Sequence, residues 1–253
     1  MTSDWDTHVT AWSHPPVDDV GYISSRELLA LSDDDLRTVV DRMRSTRYGG
    51  WRNHGNRWRD LLSLDTTTGS RVLDLGCGVG LEALEYLRAG NTVDVADIVP
   101  ENTALAQRVA RVYGYEGRLP VRLTVGRDPP FITRYAGWYD VVHCVGVLHH
   151  VPWARDLVER CHGLLAPGGE LRLMLYSDVG WRLATGTEPP ARDELTTHPR
   201  FRDFVRFFDG VGEYAEWYDC GKITELFGDL FDVRRCGYIT PDDRYLVATL
   251  TRR

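Results

Sequence analysis

The sequence predicts an α/β fold, a mostly parallel sheet with helices on both faces, and three observations carry that expectation. Short apolar runs alternate with helical periodicity from residue 71 to residue 176, a glycine cluster follows the first apolar run, and no internal repeat interrupts the pattern. Residues 1–22 hold prolines, aspartates and isolated aromatics without a period and read as an irregular arm. Over 24–45, SSRELLALSDDDLRTVVDRMRS places apolar residues at three- and four-residue spacing and predicts one helix; a second is expected over 56–64. Then come strand 71–75, helix 80–88, strand 92–97, helix 101–113, strand 121–125, strand 140–145, helix 154–164 and strand 169–176. From 178 to 219 prolines, charges and aromatics replace the alternation, too long for a plain connection and therefore read as an insertion covering a site. Helix 220–228 and strands 231–238 and 244–251 close the chain, the last two as antiparallel neighbours across the turn TPDD. The division is an N-terminal helical cap, 1–64, and a ligand-binding domain, 65–253, with 178–219 inserted as a lid.

A chain of 253 residues, 43% apolar, buries a full core. Its formal charge of −7 lacks the basic surplus that nucleic-acid binding draws on, so a nucleic-acid partner is not expected. Lys222 is the only lysine, which excludes mechanisms needing two. The N-terminus has no basic flank with an apolar segment behind it, and no uncharged stretch approaches the roughly 20 residues of a membrane span, so a cytoplasmic protein without membrane partners is expected. Cysteines 77, 144, 161, 220 and 236 are odd in number and form no CxxC pair, so reduced core thiols are expected and neither a disulfide framework nor a metal site is suggested.

The ligand signal is RVLDLGCGVGLE, residues 71–82, in which a strand runs through a glycine turn into a helix. A dinucleotide fingerprint would put a small residue at the sixth place counted from Gly76, where this chain has Leu81; the third glycine comes early, at Gly80, and Asp74 interrupts the apolar strand. Both departures point away from a nicotinamide dinucleotide. About twenty residues on, the next strand ends at Asp97, where a carboxylate can accept both ribose hydroxyls.

Here the chain resembles the class I S-adenosylmethionine-dependent methyltransferases of small molecules. VLDLGCGVG resembles their first motif, VADIVPENTALAQRVA their second-strand segment, and WYDVVHCVGVLHHVPW and LLAPGGELRLMLYS their fourth- and fifth-strand motifs, in order and at suitable spacing. The resemblance spans roughly 65–178 and 219–253 and implies a Rossmann-like sheet of seven strands with the last antiparallel. It implies S-adenosylmethionine as cofactor, with Gly76, Cys77, Gly78 and Gly80 beside its methionine and ribose portions, Asp74 toward the ammonium, Asp97 on the ribose hydroxyls, and Ile98 and Cys144 at the same site. An acidic residue for the adenine amino group is common after the third strand; the chain has Gly126, Arg127 and Asp128, so Asp128 is the candidate, displaced by one place.

The fourth strand lacks an N-P-P-Y-like run for planar nitrogens and the Asp and Asn of metal-dependent catechol enzymes, so no metal is expected. What remains is GVLHHV, with His149 and His150 able to accept a proton from a hydroxyl or amine. In the phosphoethanolamine branch of the family a histidine in this position pairs with a cap tyrosine, and Val147-Leu148-His149 with Arg47-Tyr48-Gly49-Gly50 resembles that pair, implying a His149–Tyr48 dyad. Aromatics on the decorated segments, including Trp51, Trp58, Trp181, Phe204, Phe207, Phe208, Tyr214, Trp217 and Tyr218, are candidates to enclose an acceptor, and Arg52 or Arg206 to hold a carboxylate. The reaction implied is methyl transfer to an oxygen, nitrogen or carbon of a small molecule. Two alternatives stay open: internal displacement that releases methylthioadenosine, and cofactor binding without catalysis.

Overall fold

The computed structural model describes residues 9–17, 21–50, 53, 55, 57–115, 122–124, 131–208 and 213–253. The N-terminal helical run is two helices, α1 (Ser25–Ala30) and α2 (Asp33–Gly49), where one was expected. The break has a local cause. Ser24 and Glu27 form a reciprocal capping box, and Ser32 caps a new helix by accepting from the Asp35 N–H at 3.1 Å, with Asp33, Asp34 and Asp35 in the favourable first turn. The cap signal inside the periodic run overrides the period. α3 (Arg57–Leu61) is shorter than expected, and the polar stretch after it folds back onto the sheet.

The alternating core follows: β1 (Arg71–Leu75), α4 (Leu81–Arg88), β2 (Thr92–Asp97), α5 (Pro100–Val112), β3 (Arg122–Thr124), α6 (Phe131–Arg134), β4 (Tyr139–Val145), a 3-10 turn (Leu148–His150), α7 (Ala154–Leu164) and β5 (Leu165–Tyr176). The inserted segment is itself ordered, with α8 (Asp178–Thr185), a 3-10 turn (Leu195–Thr197) and α9 (Phe201–Phe208). α10 (Cys220–Phe227), β6 (Phe231–Tyr238) and β7 (Tyr245–Arg252) complete the chain. The strands form one mixed sheet in the order β3-β2-β1-β4-β5-β7-β6. β1 to β5 pair in parallel, and β7 runs antiparallel to both β5 and β6.

Side chains alternate across this sheet into two cores. One face carries Val72, Val95, Val141, Met174 and Val247 against Trp58, Tyr86 and Phe204; the other carries Leu73, Leu75, Cys144, Leu173 and Leu250 against α7 and α10. A third cluster joins Leu36, Val40 and Met43 of α2 to Leu81, Leu84, Leu105 and Val109 of α4 and α5, so the N-terminal helices pack directly on the first two crossover helices.

The cysteine expectation needs one correction. Cys77, Cys144 and Cys161 are free and buried, but Cys220 and Cys236 form a disulfide that ties the start of α10 to β6. Sequence spacing could not show this pair, because the proximity is created by the fold of α10 back along β6. Among the described residues no group of His, Cys, Asp and Glu could hold a metal ion, and no helix is long and apolar enough to cross a membrane.

Candidate active site

The site lies where β1 and β4 end beside each other and the chain reverses strand order, the switch point at which open α/β sheets bind ligands. Gly76, Gly78 and Gly80 all have positive φ. At Gly80 a Cβ would lie 2.6 Å from the Ala106 Cβ, and at Gly76 one would lie 2.2 Å from the Val147 Cγ2; these two glycines permit close packing. Gly78 differs, since among the described residues a Cβ there would meet only Pro15, at 3.8 Å. The loop is pinned by backbone bonds from Gly76 N–H to the Ala96 carbonyl and from Gly80 N–H to the Cys77 carbonyl, both 2.7 Å.

Asp97 closes β2 with both carboxylate oxygens engaged. Oδ2 accepts from the Gly78 N–H at 3.0 Å; Oδ1 accepts from the Val99 N–H at 2.9 Å and from Asn102 Nδ2 at 3.1 Å. Burial nevertheless outweighs these donors and raises its pKa to about 6. Asp74 lies at the opposite end of the loop, accepting from the Ala83 N–H at 3.2 Å. Burial first, and then repulsion from Glu82, push its carboxyl well above the usual range. It therefore stitches the loop to the first turn of α4. Cys77 is buried with its thiol pKa pushed up by burial, Ile98 is half-buried beside Asp97, and Cys144 sits in the apolar core of the opposite sheet face. Asp128, Trp51 and Arg52 lie outside the described residues.

The two histidines have different surroundings. His149 is fully buried, stacked on Tyr176 with ring centroids 3.7 Å apart, and neither ring nitrogen completes a hydrogen bond. Burial, reinforced by His150, drives its pKa well below the ordinary value against a weak opposing pull from the Met174 carbonyl. His150 retains a little exposure, and its Nδ1 lies 2.9 Å from the Tyr214 carbonyl. A carbonyl only accepts, so in the neutral ring Nδ1 carries the proton and Nε2 keeps the lone pair.

The His149–Tyr48 dyad is not formed. The Tyr48 hydroxyl donates to Glu82 Oε1 at 3.3 Å, and the same oxygen accepts from Arg47 Nη1 at 2.7 Å. Burial and the Glu82 charge raise the Tyr48 pKa well above its usual value. The short matching runs resemble a dyad, but a buried glutamate on α4 that competes for the tyrosine was not visible in them.

Beneath the loop lies a polar row that the sequence reading missed. Sheet register aligns Asp74 with His143, His143 with Arg172, and Arg172 with Thr249. His143 Nδ1 is 3.1 Å from the Tyr86 hydroxyl, and Arg172 donates to Tyr86, to Thr67 Oγ1 and to the Leu62 carbonyl. Burial lowers the His143 pKa to about 4. The signal was present, because four adjacent strands each place a polar residue among apolar ones, but only the register shows that they meet.

The described parts of the arm and of the inserted segment make contacts at the same ends of the strands. Asn102 Nδ2, which bonds Asp97, also donates to the Trp12 carbonyl at 3.2 Å, while Ser25 Oγ donates to Asn102 Oδ1; the Trp12 ring lies 4.6 Å from that of His150. Tyr176, absent from the sequence-derived candidates, is the hub of the aromatic wall, with His149 on one face and Phe208 stacked on the other at 3.8 Å. Trp181 is fully buried against Phe204 and His198 with its N–H on Thr187, which makes it core of the insertion. Trp58 is likewise buried, whereas Phe207 and Arg206 are exposed. Tyr214 and Tyr218 both donate to the buried Glu216, at 3.1 and 3.2 Å, and Trp217 donates to the Pro190 carbonyl.

Comparison with known proteins agrees with this geometry. A family model described as "Methyltransferase domain" matches residues 43–211, more than half of the chain. A ubiquinone biosynthesis O-methyltransferase of Xanthomonas oryzae is 37% identical over 152 residues, 59% of this chain and 60% of the relative, so that alignment reaches three-fifths of the relative's length. One of Xylella fastidiosa bearing the same name is 32% identical over 204 residues, 74% of this chain and 78% of the relative. The crystal structure of magnesium protoporphyrin IX methyltransferase from Synechocystis with bound SAH superposes with a TM-score of 0.53 at 20% identity, covering 90% of this chain and 92% of that one, which is a likeness of fold. With a family model over most of its ordered core, and with the loop and sheet order that its motifs imply, this chain belongs to the methyltransferase domain family, on the class I fold.

Proposed function

We propose that the chain transfers the methyl group of S-adenosylmethionine to an oxygen, nitrogen or carbon nucleophile of a small molecule. The observation that carries this reading is Asp97, a buried carboxylate with a raised pKa that binds the N–H of Gly78, the loop glycine at which an added Cβ would make no more than an ordinary contact, with Pro15 at 3.8 Å, among the described residues. The residues present suit the cofactor: Asp97 would accept its ribose hydroxyls, Gly78 would let the backbone approach it, and Asp74 would act through the loop it ties to α4. When bound, the cofactor supplies an electrophilic methyl on sulfur. The names of the relatives, ubiquinone biosynthesis O-methyltransferases, favour a small-molecule acceptor.

The chain's own contribution is alignment, water exclusion and handling of one proton. His150, held through Nδ1, presents Nε2 as the acceptor for a proton leaving a hydroxyl or amine. His149 is too dry to take that proton and serves with Tyr176 as an aromatic wall. The arm and the N-terminal helices act as a cap and 178–219 as a lid, since both meet the site through Trp12, Tyr214 and Phe208. The test is incubation with S-adenosylmethionine and a panel of phenols, amines and cell extract. Acceptor-dependent formation of S-adenosylhomocysteine is expected; methylthioadenosine alone would indicate internal displacement, and no turnover with tight cofactor binding would indicate a non-catalytic binder.

A further inference from the structure

Glu216 is a carboxylate with no exposed surface, and four side chains converge on it. Oε1 faces Arg192 Nε at 3.1 Å and Lys222 Nζ, the only lysine of the chain, at 3.0 Å; Oε2 accepts from the hydroxyls of Tyr214 and Tyr218. Two cations and two phenols for one buried anion is more than neutralisation requires. Lys222 is held further by the Trp217 carbonyl at 2.8 Å and by the Trp217 ring, and burial lowers its pKa against the opposing pull of Glu216.

The backbone around this anchor explains its place. Residues 214, 216 and 218 alternate along an extended run, so their side chains share one side. The main chain of the same run grips the histidine turn: the Glu216 N–H donates to the His149 carbonyl at 2.8 Å, and the Tyr214 carbonyl faces His150 Nδ1 at 2.9 Å. The run is also tied to the end of β5, with the Tyr218 N–H on the Tyr176 carbonyl and the Asp178 N–H on the Tyr218 carbonyl. Arg192 adds a bond to the Pro152 carbonyl, just past the histidines.

We propose that Glu216 is a positioning residue: the Glu216 anchor, with Lys222 and Arg192, sets the Tyr214 carbonyl against His150 and thereby fixes the Nδ1–H tautomer that leaves Nε2 as proton acceptor. The role assigned to that acceptor rests on the methyl-transfer reading, but the tautomer itself does not. A buried anchor that served folding alone would leave the tautomer unchanged once the protein folds.

The test uses the full chain with nitrogen-15-labelled histidine and long-range proton–nitrogen spectra, His150 being assigned with His150→Gln. Wild type is expected to show His150 as the Nδ1–H tautomer. In Glu216→Ala the resonances should move to a mixture of tautomers, while S-adenosylhomocysteine affinity stays within about twofold. With an acceptor in hand, kcat should fall at least tenfold and the KM for S-adenosylmethionine should hold. If Glu216→Ala does not fold, Lys222→Met removes one cation and the Trp217 tie and should give the same change in smaller measure. His150 as Nε2–H in the wild type, or as pure Nδ1–H in every folded variant, would overturn the proposal. Failure of the wild type to bind S-adenosylhomocysteine would sink the cofactor reading instead, with the tautomer result still standing.

Discussion

Gly80 and Gly78 have the same kind of backbone conformation, both with positive φ, yet the structure assigns them different costs when a methyl group is added. At Gly80 the new Cβ would stand 2.6 Å from the Ala106 Cβ and 2.7 Å from its Cα, so backbone of α5 must move. The left-handed conformation costs an alanine about 1 to 2 kcal/mol and overpacking a further 1 to 3 kcal/mol, giving Gly80→Ala a destabilisation of about 2 to 5 kcal/mol. Gly78→Ala should lose only the conformational share, about 1 to 2 kcal/mol, since the nearest described neighbour, Pro15, is at 3.8 Å. Its damage should appear in ligand binding, because the proposed function has the cofactor approach the backbone at Gly78. Urea unfolding and calorimetric titration with S-adenosylhomocysteine separate the two quantities. Gly78→Ala is expected to stay folded and lose at least tenfold in affinity, whereas Gly80→Ala loses stability first. Equal destabilisation by the two substitutions, or full affinity in Gly78→Ala, would refute the distinction.

Two further outcomes follow from the buried polar groups. Between about pH 4, where folded His143 titrates, and its ordinary 6.5, the unfolded chain holds the proton that the folded one lacks, so this histidine's contribution is complete above the ordinary value and is lost as pH falls. From pH 7.5 to pH 5 the loss should be about 2 kcal/mol; Asp97, raised to about 6, acts in the opposite direction, so the comparison is with His143→Gln, whose stability should fall less by that amount in urea unfolding. Identical pH slopes for the two proteins would contradict the assignment. Asn102 joins the Asp97 carboxylate to the Trp12 carbonyl, so S-adenosylhomocysteine should slow hydrogen exchange over 9–17 in the wild type and do so much less in Asn102→Ala. Equal protection in both would make the arm independent of the cofactor.

The sheet was legible in sequence because most strands are short, largely apolar runs bounded by turn residues, and β1, β2 and β6 begin and end where the pattern predicts. The break between α1 and α2 was hidden by continuous helical periodicity and is set by one capping serine. The candidate cofactor loop was legible for a similar reason: Asp74, the glycines and Asp97, proposed to hold the cofactor, sit on consecutive elements whose geometry local pattern encodes. The polar contacts around it were not. Tyr48 meets Glu82, His143 meets Tyr86, and Glu216 meets Lys222 and Arg192 through tertiary packing between segments that no spacing rule connects. The dense aromatics of 178–219 gave no guide either, because Trp181 and Phe204 fill a core while Tyr176, in a strand, carries the wall.

The central claim stands or falls on whether Asp97 holds the cofactor. The loop keeps its own backbone ties to the Ala96 and Cys77 carbonyls, so Asp97→Ala should fold, which its thermal unfolding curve checks. The deciding measurement is the calorimetric Kd of S-adenosylhomocysteine for the wild type and for Asp97→Ala, at pH 7.5 and at pH 5. Each charge-assisted bond from a ribose hydroxyl is worth about 1.5 to 3 kcal/mol, so the account predicts a Kd raised at least tenfold by the substitution at pH 7.5. It also predicts wild-type affinity that weakens as pH falls below about 6, where the carboxylate gains its proton, and a flatter profile in the variant. Equal Kd values in the two proteins at pH 7.5 would contradict it.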